Sequence, residues 1–279
     1  MSESRFVLAG VMGWPVAHTR SPVIHNHWIA HYGLKGAYVQ LPVQPERLEA
    51  AIRGLPALGF AGCNITVPHK VNAMKLMDEL HPTARRIAAI NTVVVQPDGR
   101  LLGVNNDGVG YIQSLRDADP TWRADTGPAL VLGAGGAARA IVVALLDEGV
   151  PELRITNRTQ AHAQALKDEF GERVTVVPWA ERNPAMAGIS LLVNSTTQGL
   201  HGQPALDVQL DDLPAAAMVS DAIYIPLETP LLAEARKRGH QTVNGLGMLL
   251  NQARPAFHAW FGVLPELTPA LRAAVQATF

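Results

Sequence analysis

The sequence predicts an α/β fold in two domains, with a C-terminal helical stretch that returns to the first of them. Three observations carry this. Short apolar runs alternate with longer helix-patterned segments along the chain, the rhythm of parallel α/β layers. A turn-rich segment, Asp117–Pro128, separates two such series. A glycine-rich strand-to-helix turn, Gly133-Ala134-Gly135-Gly136, opens the second.

In the first series Arg5–Val11 reads as a buried strand and Pro22–Tyr32 as a helix stopped by Gly33. Ala37–Val43 follows as a strand and Glu46–Leu58 as an amphipathic helix. Gly62–Val67 is a third strand, leading into a helix that begins close to His69. Asn91–Val95 and Arg100–Val104 flank Pro97-Asp98-Gly99 and predict a hairpin, with a helix over Gly108–Arg116 beyond it. In the second series Ala129–Leu132 and Leu153–Thr156 are strands, each followed by a helix, Gly136–Glu148 and Gln160–Phe170. Val174–Val177, Ile189–Val193 and Met218–Ile223 continue the parallel pattern, and Gly245–Trp260 is helical again. The first domain is therefore expected over 1–107, completed by 241–279, and the second over 108–240.

With 279 residues, 48% of them hydrophobic, the chain is long enough to bury a core in each domain. A formal net charge of -1 and only 17% charged residues leave no basic footprint for nucleic acid or an anionic membrane. The single cysteine, Cys63, has no partner for an internal disulfide, which fits a reducing compartment. The apolar stretch Phe6–Met12 is interrupted by Gly13 and Pro15, too soon for a signal peptide. Nothing approaches the roughly 20 apolar residues of a membrane span. A cytoplasmic protein without nucleic-acid or membrane partners is expected.

Val131-Leu132-Gly133-Ala134-Gly135-Gly136-Ala137-Ala138 places G-x-G-x-x-A between an apolar strand and an alanine-rich helix. Gly133 permits the tight turn, Gly135 lets backbone approach a pyrophosphate, and Ala138 lets the helix pack close to the strand. The helix N-terminus offers unpaired N–H groups to the anion. This context marks a Rossmann-type dinucleotide site. Enzymes that select NAD place Asp or Glu at the end of the next strand, roughly 20 residues on, for the ribose 2′-hydroxyl. Here that place holds Thr156-Asn157-Arg158-Thr159 and no carboxylate. The Arg158 fork suits a 2′-phosphate, with neutral hydrogen bonds from Asn157 and Thr159, so NADP is the expected cofactor.

Three polar clusters fall at loop positions of the first domain. His18-Thr19-Arg20-Ser21-Pro22 sets two hydroxyls ahead of a helix N-terminus, an arrangement that can hold a carboxylate. The same residues also fit a plain helix start, with Ser21 as cap and Pro22 in the first turn. Asn64-Ile65-Thr66-Val67-Pro68-His69-Lys70 ends a strand and enters a helix. A lysine there opposes the helix dipole, which disfavours its charged form and suits a proton-transferring group; the alternative is an exposed surface lysine. Asn105-Asn106-Asp107-Gly108, preceded by Ile90-Asn91-Thr92, offers a carboxylate that can accept from a substrate hydroxyl and hold Lys70, or simply cap a helix. His25, His27 and His31 share a predicted helix, but no H-E-x-x-H or cysteine set accompanies them, so no metal is expected.

Taken together these blocks resemble the shikimate dehydrogenase family. The similarity runs through Gly13-x-Pro15-x-x-His18-Thr19-x-Ser21-Pro22, Asn64-Ile65-Thr66-x-Pro68-x-Lys70 and Ala89-Ile90-Asn91-Thr92. It continues with Asn105-Asn106-Asp107-Gly108, Gly133 to Ala137, Asn157-Arg158-Thr159, Asn194-Ser195-Thr196, Asp221-Ala222-Ile223-Tyr224 and Gly245-Leu246-Gly247-Met248-Leu249-x-x-Gln252. The resemblance implies NADPH-dependent, reversible reduction of 3-dehydroshikimate to shikimate in chorismate and aromatic amino-acid biosynthesis, by a monomer or homodimer. It implies Lys70 and Asp107 as catalytic residues, and Thr19, Ser21 and Tyr224 around the substrate carboxylate. Asn64, Thr66, Asn91 and Gln252 would surround the ring hydroxyls. Cofactor contacts would come from Gly133, Ala134, Gly135, Gly136, Ala137, Asn157, Arg158, Thr159, His162, Ala222 and Gly245. Three positions depart from the family pattern: Thr19 stands where serine is usual, Asn106 where threonine is, and His162 where a second basic residue is common. Thr19 bears on tolerance for quinate, and His162 on the strictness of NADP preference. The other readings on this fold are a quinate/shikimate dehydrogenase with relaxed cofactor use and a non-catalytic dinucleotide-sensing regulator.

Overall fold

The structure, a computed structural model, describes residues 6–279. Arg5, the first residue of the strand expected at the start, lies outside them. The chain forms two compact units, Met1–Asn106 with Leu250–Phe279, and Asp107–Leu249.

The first unit is built on β1 (Val7–Gly13), α1 (Ser21–His31), β2 (Gly36–Pro42), α2 (Leu48–Gly54), β3 (Phe60–Ile65), α3 (Lys70–Met74), β4 (Glu79–Leu80), α4 (Pro82–Ile87), β5 (Thr92–Val95) and β6 (Leu101–Val104). Its sheet runs β2-β1-β3-β5-β6-β4. The strand β1 pairs in parallel with β2 and β3, whereas the β5–β6 hairpin adds antiparallel partners. A core of Met12, Leu48, Ile52, Leu55, Cys63, Ile65, Ile90, Val93 and Leu101 forms around the sheet.

One expectation is corrected here and two elements are added. The helix expected over Glu46–Leu58 is a 3₁₀ turn, Pro45–Arg47, followed by α2, which ends at Gly54; Leu55 keeps helical angles, but Pro56 has no N–H with which to carry the helix ladder on. The helix expected from His69 is only five residues long, and β4 and α4 follow it unforeseen. A two-residue strand has no periodicity to read. Its place is set by tertiary bonds, since the Asp78 carboxylate beside it accepts from the Leu101 amide at 2.8 Å and from Arg53 at 2.9 Å.

The second unit begins with α5 (Asp107–Ala118) and continues through β7 (Ala129–Leu132), α6 (Gly136–Asp147), β8 (Leu153–Thr156), α7 (Gln160–Phe170), β9 (Val174–Val176), β10 (Leu191–Asn194), β11 (Met218–Asp221), α8 (Pro230–Lys237) and β12 (Thr242–Val243). Its sheet is parallel throughout, in the order β12-β11-β10-β7-β8-β9. This is the doubly wound Rossmann order, with the direction of winding reversed between β7 and β10. All four residues of β7 and of β10 are buried, as strands covered on both faces must be. Separate apolar clusters line the two faces of the sheet.

The helix α9 (Gly245–Phe261) crosses the division of the chain, and α10 (Pro269–Gln276) follows it. The division falls at Leu249/Leu250 rather than at the expected 240/241, because β12 pairs with β11 and stays in the second sheet. From Leu250 onward the chain packs on the first unit: the Trp260 indole donates to the Val93 carbonyl at 3.1 Å, and the Trp28 indole to the Glu266 carbonyl at 3.1 Å. The strand β12 and the helices α8 and α10 were not foreseen from sequence. Among the described residues no helix is long and apolar enough to cross a membrane.

Candidate functional site

The first unit gathers seven of the expected site residues, and a buried hydrogen-bond network joins several of them. Asn64 is the penultimate residue of β3 and is 6% exposed. Its Nδ2 donates to the Asn91 carbonyl at 3.1 Å and to Thr92 Oγ1 at 3.2 Å, while its Oδ1 accepts from the Tyr38 hydroxyl at 2.6 Å. Asn91 accepts on Oδ1 from Thr92 Oγ1 and from the Asn106 amide, both at 2.9 Å, and donates from Nδ2 to Gln252 Oε1 at 3.1 Å. Asn106 also donates from Nδ2 to Thr92 Oγ1 at 3.1 Å. Asn105 donates to the Ala89 carbonyl at 3.0 Å. The backbone that leads into α5 is thereby fixed at two successive residues. Asp107, next in the chain, is buried and is the first residue of α5, where the helix dipole favours a carboxylate.

Lys70 is half-buried and is the first residue of α3, as expected. Two bonds tie this turn down. His69, 1% exposed, bonds the Val43 carbonyl through Nε2 at 2.7 Å, and the Lys70 carbonyl accepts from the Ile90 amide at 3.0 Å. Thr66 lies one turn earlier, with its amide donating to the Met12 carbonyl at 2.9 Å. At the start of α1 the Thr19 hydroxyl donates to Ser21 Oγ at 3.2 Å and accepts from the Ser21 amide at 3.3 Å. Ser21 is the first helical residue and not the cap; Arg20 takes the cap position and makes no capping bond from its side chain. Arg20 instead clamps two carbonyls, those of His18 and Thr278, each at 2.6 Å.

Asp107, Tyr224 and all the expected cofactor residues belong to the second unit. Gly133 has φ +105, and a Cβ there would lie 2.7 Å from Ser195 Oγ, so both conformation and packing demand glycine. Gly135 and Gly136 are different. Neither has a positive φ, and a Cβ on either would meet nothing within 4 Å. The protein itself gives no reason for glycine at these two positions. Exposed at the N-terminus of α6 between half-buried Ala134 and Ala137, they leave a cradle that a Cβ would fill, which fits a pyrophosphate against backbone N–H groups.

At the end of β8, Asn157 Nδ2 donates to the Thr159 carbonyl at 2.9 Å, and the Thr159 carbonyl also accepts from the His162 amide at 3.1 Å. Arg158 is exposed and has no ion-pair or hydrogen-bond partner among the described residues, which leaves its guanidinium open to an anion. Thr159 and His162 are exposed beside it. Beyond β11, Ala222 and Gly245 meet directly: the Gly245 amide donates to the Ile223 carbonyl at 2.9 Å, and a Cβ on Gly245 would stand 2.1 Å from the Ala222 carbonyl oxygen. Tyr224 is half-buried two residues further along this loop.

Sequence reasoning gave no role to Asn194, Asp221, Thr229 or Asn244, which hold this end of the second sheet. Asp221 accepts from Asn194 Nδ2 at 3.1 Å, the Ile223 amide at 3.0 Å and Thr229 Oγ1 at 2.8 Å. Burial raises its pKa, against the pull of these three donors. Asn244 accepts from the Leu246 amide at 3.2 Å at the start of α9. A carboxylate at the end of a fully buried strand was the available signal for Asp221. Tyr38 and His69 carried no such signal. Among the described residues no group of three or more His, Cys, Asp or Glu is placed to hold a metal ion.

The family profile described as "Shikimate dehydrogenase substrate binding domain" matches residues 11–93, and "Shikimate / quinate 5-dehydrogenase" matches 121–223. The chain is 55% identical over 272 residues to the shikimate dehydrogenase (NADP(+)) of Rhodospirillum rubrum, covering 96% of both chains. It is 54% identical over 268 residues to that of Paramagnetospirillum magneticum, covering 96% of this chain and 97% of the other. The crystal structure of shikimate 5-dehydrogenase from Thermus thermophilus, in complex with NADP(H) and shikimate, superposes with a TM-score of 0.87 at 36% identity, covering 98% of this chain and all of that one. Matched in both units and along nearly its whole length, this chain belongs to the shikimate dehydrogenase family.

Proposed function

We propose that the protein catalyses the reversible NADPH-dependent reduction of 3-dehydroshikimate to shikimate, a step of aromatic amino-acid biosynthesis. The 55% identity to a shikimate dehydrogenase (NADP(+)) across 96% of both chains carries this reading. We assign most of the substrate contacts to the first unit, and NADP binding, with the substrate contacts of Asp107 and Tyr224, to the second. The cradle at Gly133 to Ala137 would receive the pyrophosphate, and Arg158, with Asn157, Thr159 and His162, the adenosine 2′-phosphate. Ala222 and Gly245 would border the nicotinamide. When bound, NADPH supplies the hydride equivalent.

The chain's own residues bind, orient and protonate. Thr19, Ser21 and Tyr224 hold the carboxylate through hydroxyl groups. Asn64, Thr66, Asn91 and Gln252 bind ring hydroxyls, and Asp107 accepts a hydrogen bond from one of them. Lys70 donates a proton to the oxygen that becomes the alcohol, and in the reverse direction takes it back. Placing the lysine at a tied-down helix start limits its motion, which favours proton transfer along one path. The protein is placed in the cytoplasm, as a monomer or homodimer, without nucleic-acid or membrane partners.

The test is direct. Purified protein mixed with NADPH is expected to lose the cofactor's absorbance only when 3-dehydroshikimate is added. Binding of NADPH without turnover of this substrate would overturn the proposal and leave a dinucleotide-sensing role.

A further inference from the structure

Tyr38 lies on β2, 2% exposed, and nothing in its sequence surroundings marks it as functional. Its ring stacks face to face on His25, with centroids 4.1 Å apart and planes within 2°. Trp28, Phe257 and Trp260 enclose His25 from other sides, with ring centroids 5.6 to 5.8 Å away. The Tyr38 hydroxyl is therefore delivered to one point by a rigid aromatic block. At that point it donates to Asn64 Oδ1 at 2.6 Å, and the Ser21 hydroxyl also lies beside it. Burial pushes the phenol far above its ordinary range, which favours the protonated, hydrogen-bond-donating form.

The orientation of the Asn64 amide follows from its other partner. Turning the amide over would set Oδ1 against the Asn91 carbonyl, acceptor against acceptor, so Nδ2 must face Asn91 and Oδ1 must face Tyr38. Both Nδ2 protons are then spent, on the Asn91 carbonyl and on Thr92 Oγ1. A ligand meets only the second lone pair of Oδ1. Asn64 can accept a hydrogen bond from a hydroxyl and has no proton to give one.

We infer that Tyr38 is a positioning residue for substrate recognition, which fixes Asn64 as an acceptor for one ring hydroxyl of the substrate. This rests on the reading of Asn64 as a substrate-binding residue. Without the Tyr38 hydroxyl the buried Oδ1 loses a partner, and the amide is free to rotate away from the geometry that a hydroxyl requires.

A double-mutant cycle of Tyr38→Phe and Asn64→Ala tests the idea in the full-length protein, with shikimate and NADP as the varied substrates. The phenylalanine keeps the stack on His25 and removes one oxygen. Expected is a rise of about tenfold in KM for shikimate, the effect of a hydrogen bond worth about 1.4 kcal/mol. The KM for NADP should stay within about twofold, and in the Asn64→Ala background Tyr38→Phe should add almost nothing. A Tyr38→Phe enzyme that melts at lower temperature but keeps the parent KM for shikimate has lost only a structural bond, which overturns the inference and leaves the reading of Asn64 intact. If Asn64→Ala itself leaves the shikimate KM unchanged, both the inference and that reading fall. Should Tyr38→Phe not fold, NMR of the parent protein decides instead: the two Asn64 side-chain amide protons are expected to stay distinct and slow to exchange. Averaged, fast-exchanging protons would overturn the inference.

Discussion

Lys70 opens a helix too short to hold itself, and its position depends on the bonds that tie that turn to Val43 and Ile90. A lysine whose backbone is held in one place presents its amine to a reacting oxygen from a fixed origin. Lys70→Ala is expected to lower kcat by about 10²–10⁴, the usual worth of positioned proton transfer, with little change in KM. Steady-state kinetics measure both, and an unchanged kcat would remove Lys70 from the chemistry. His25 offers a second test at the same scale. Burial lowers its pKa to about 3, opposed by the neighbouring Asn64 side chain. Between that value and the ordinary histidine pKa of about 6.5, the unfolded chain binds a proton that the folded one refuses. Stability is therefore complete above the unfolded value and falls as pH drops through this window, by up to about 1.4 kcal/mol per pH unit. Urea unfolding of a His25→Phe variant should show a flatter dependence between these limits. An unaltered slope would mean that other groups govern acid stability.

At the scale of elements, the glycines of the second unit separate into two kinds. Gly245 is demanded by the chain itself, because Ala222 occupies the place of any Cβ, and Gly245→Ala should cost about 1–3 kcal/mol or more through overpacking. Gly135 is surrounded by open space, so Gly135→Ala should leave the melting temperature near that of the parent while raising KM for NADP. Thermal melts and cofactor titrations of the two variants distinguish these outcomes, and a large loss of stability in Gly135→Ala would show that the cradle is structural. The strand–turn–helix around Gly133 was readable because every signal in it is local: an apolar strand, glycines, then a run of alanine. The helix α7 was read to its first and last residues for the same reason. The pieces β4, α4 and β12 were not, since a two-residue strand or a single helical turn is held by partners distant in sequence, such as Asp78 with Leu101.

Across the whole molecule, the residues proposed for the site from sequence are those whose chemistry shows in their type: a lysine at a helix start, an aspartate after two asparagines, an arginine where a carboxylate would select NAD. Tyr38 was hidden because its role comes from what it stacks on and what it points to, with partners 13 positions before it and 26 after it. The two compact units divide at Asn106/Asp107 and again at Leu249/Leu250, the second place inside α9, where no turn or change of composition marks a boundary in the sequence. The measurement that bears most directly on function is a matrix of kcat/KM values for NADP and NAD against shikimate and quinate, repeated with Arg158→Ala. The highest value is expected for NADP with shikimate, and the arginine variant should lose efficiency with NADP by about tenfold or more while its values with NAD hold, as removal of a charge-assisted bond to phosphate requires. Preference for NAD with quinate, or an Arg158→Ala enzyme indistinguishable from the parent with NADP, would contradict it.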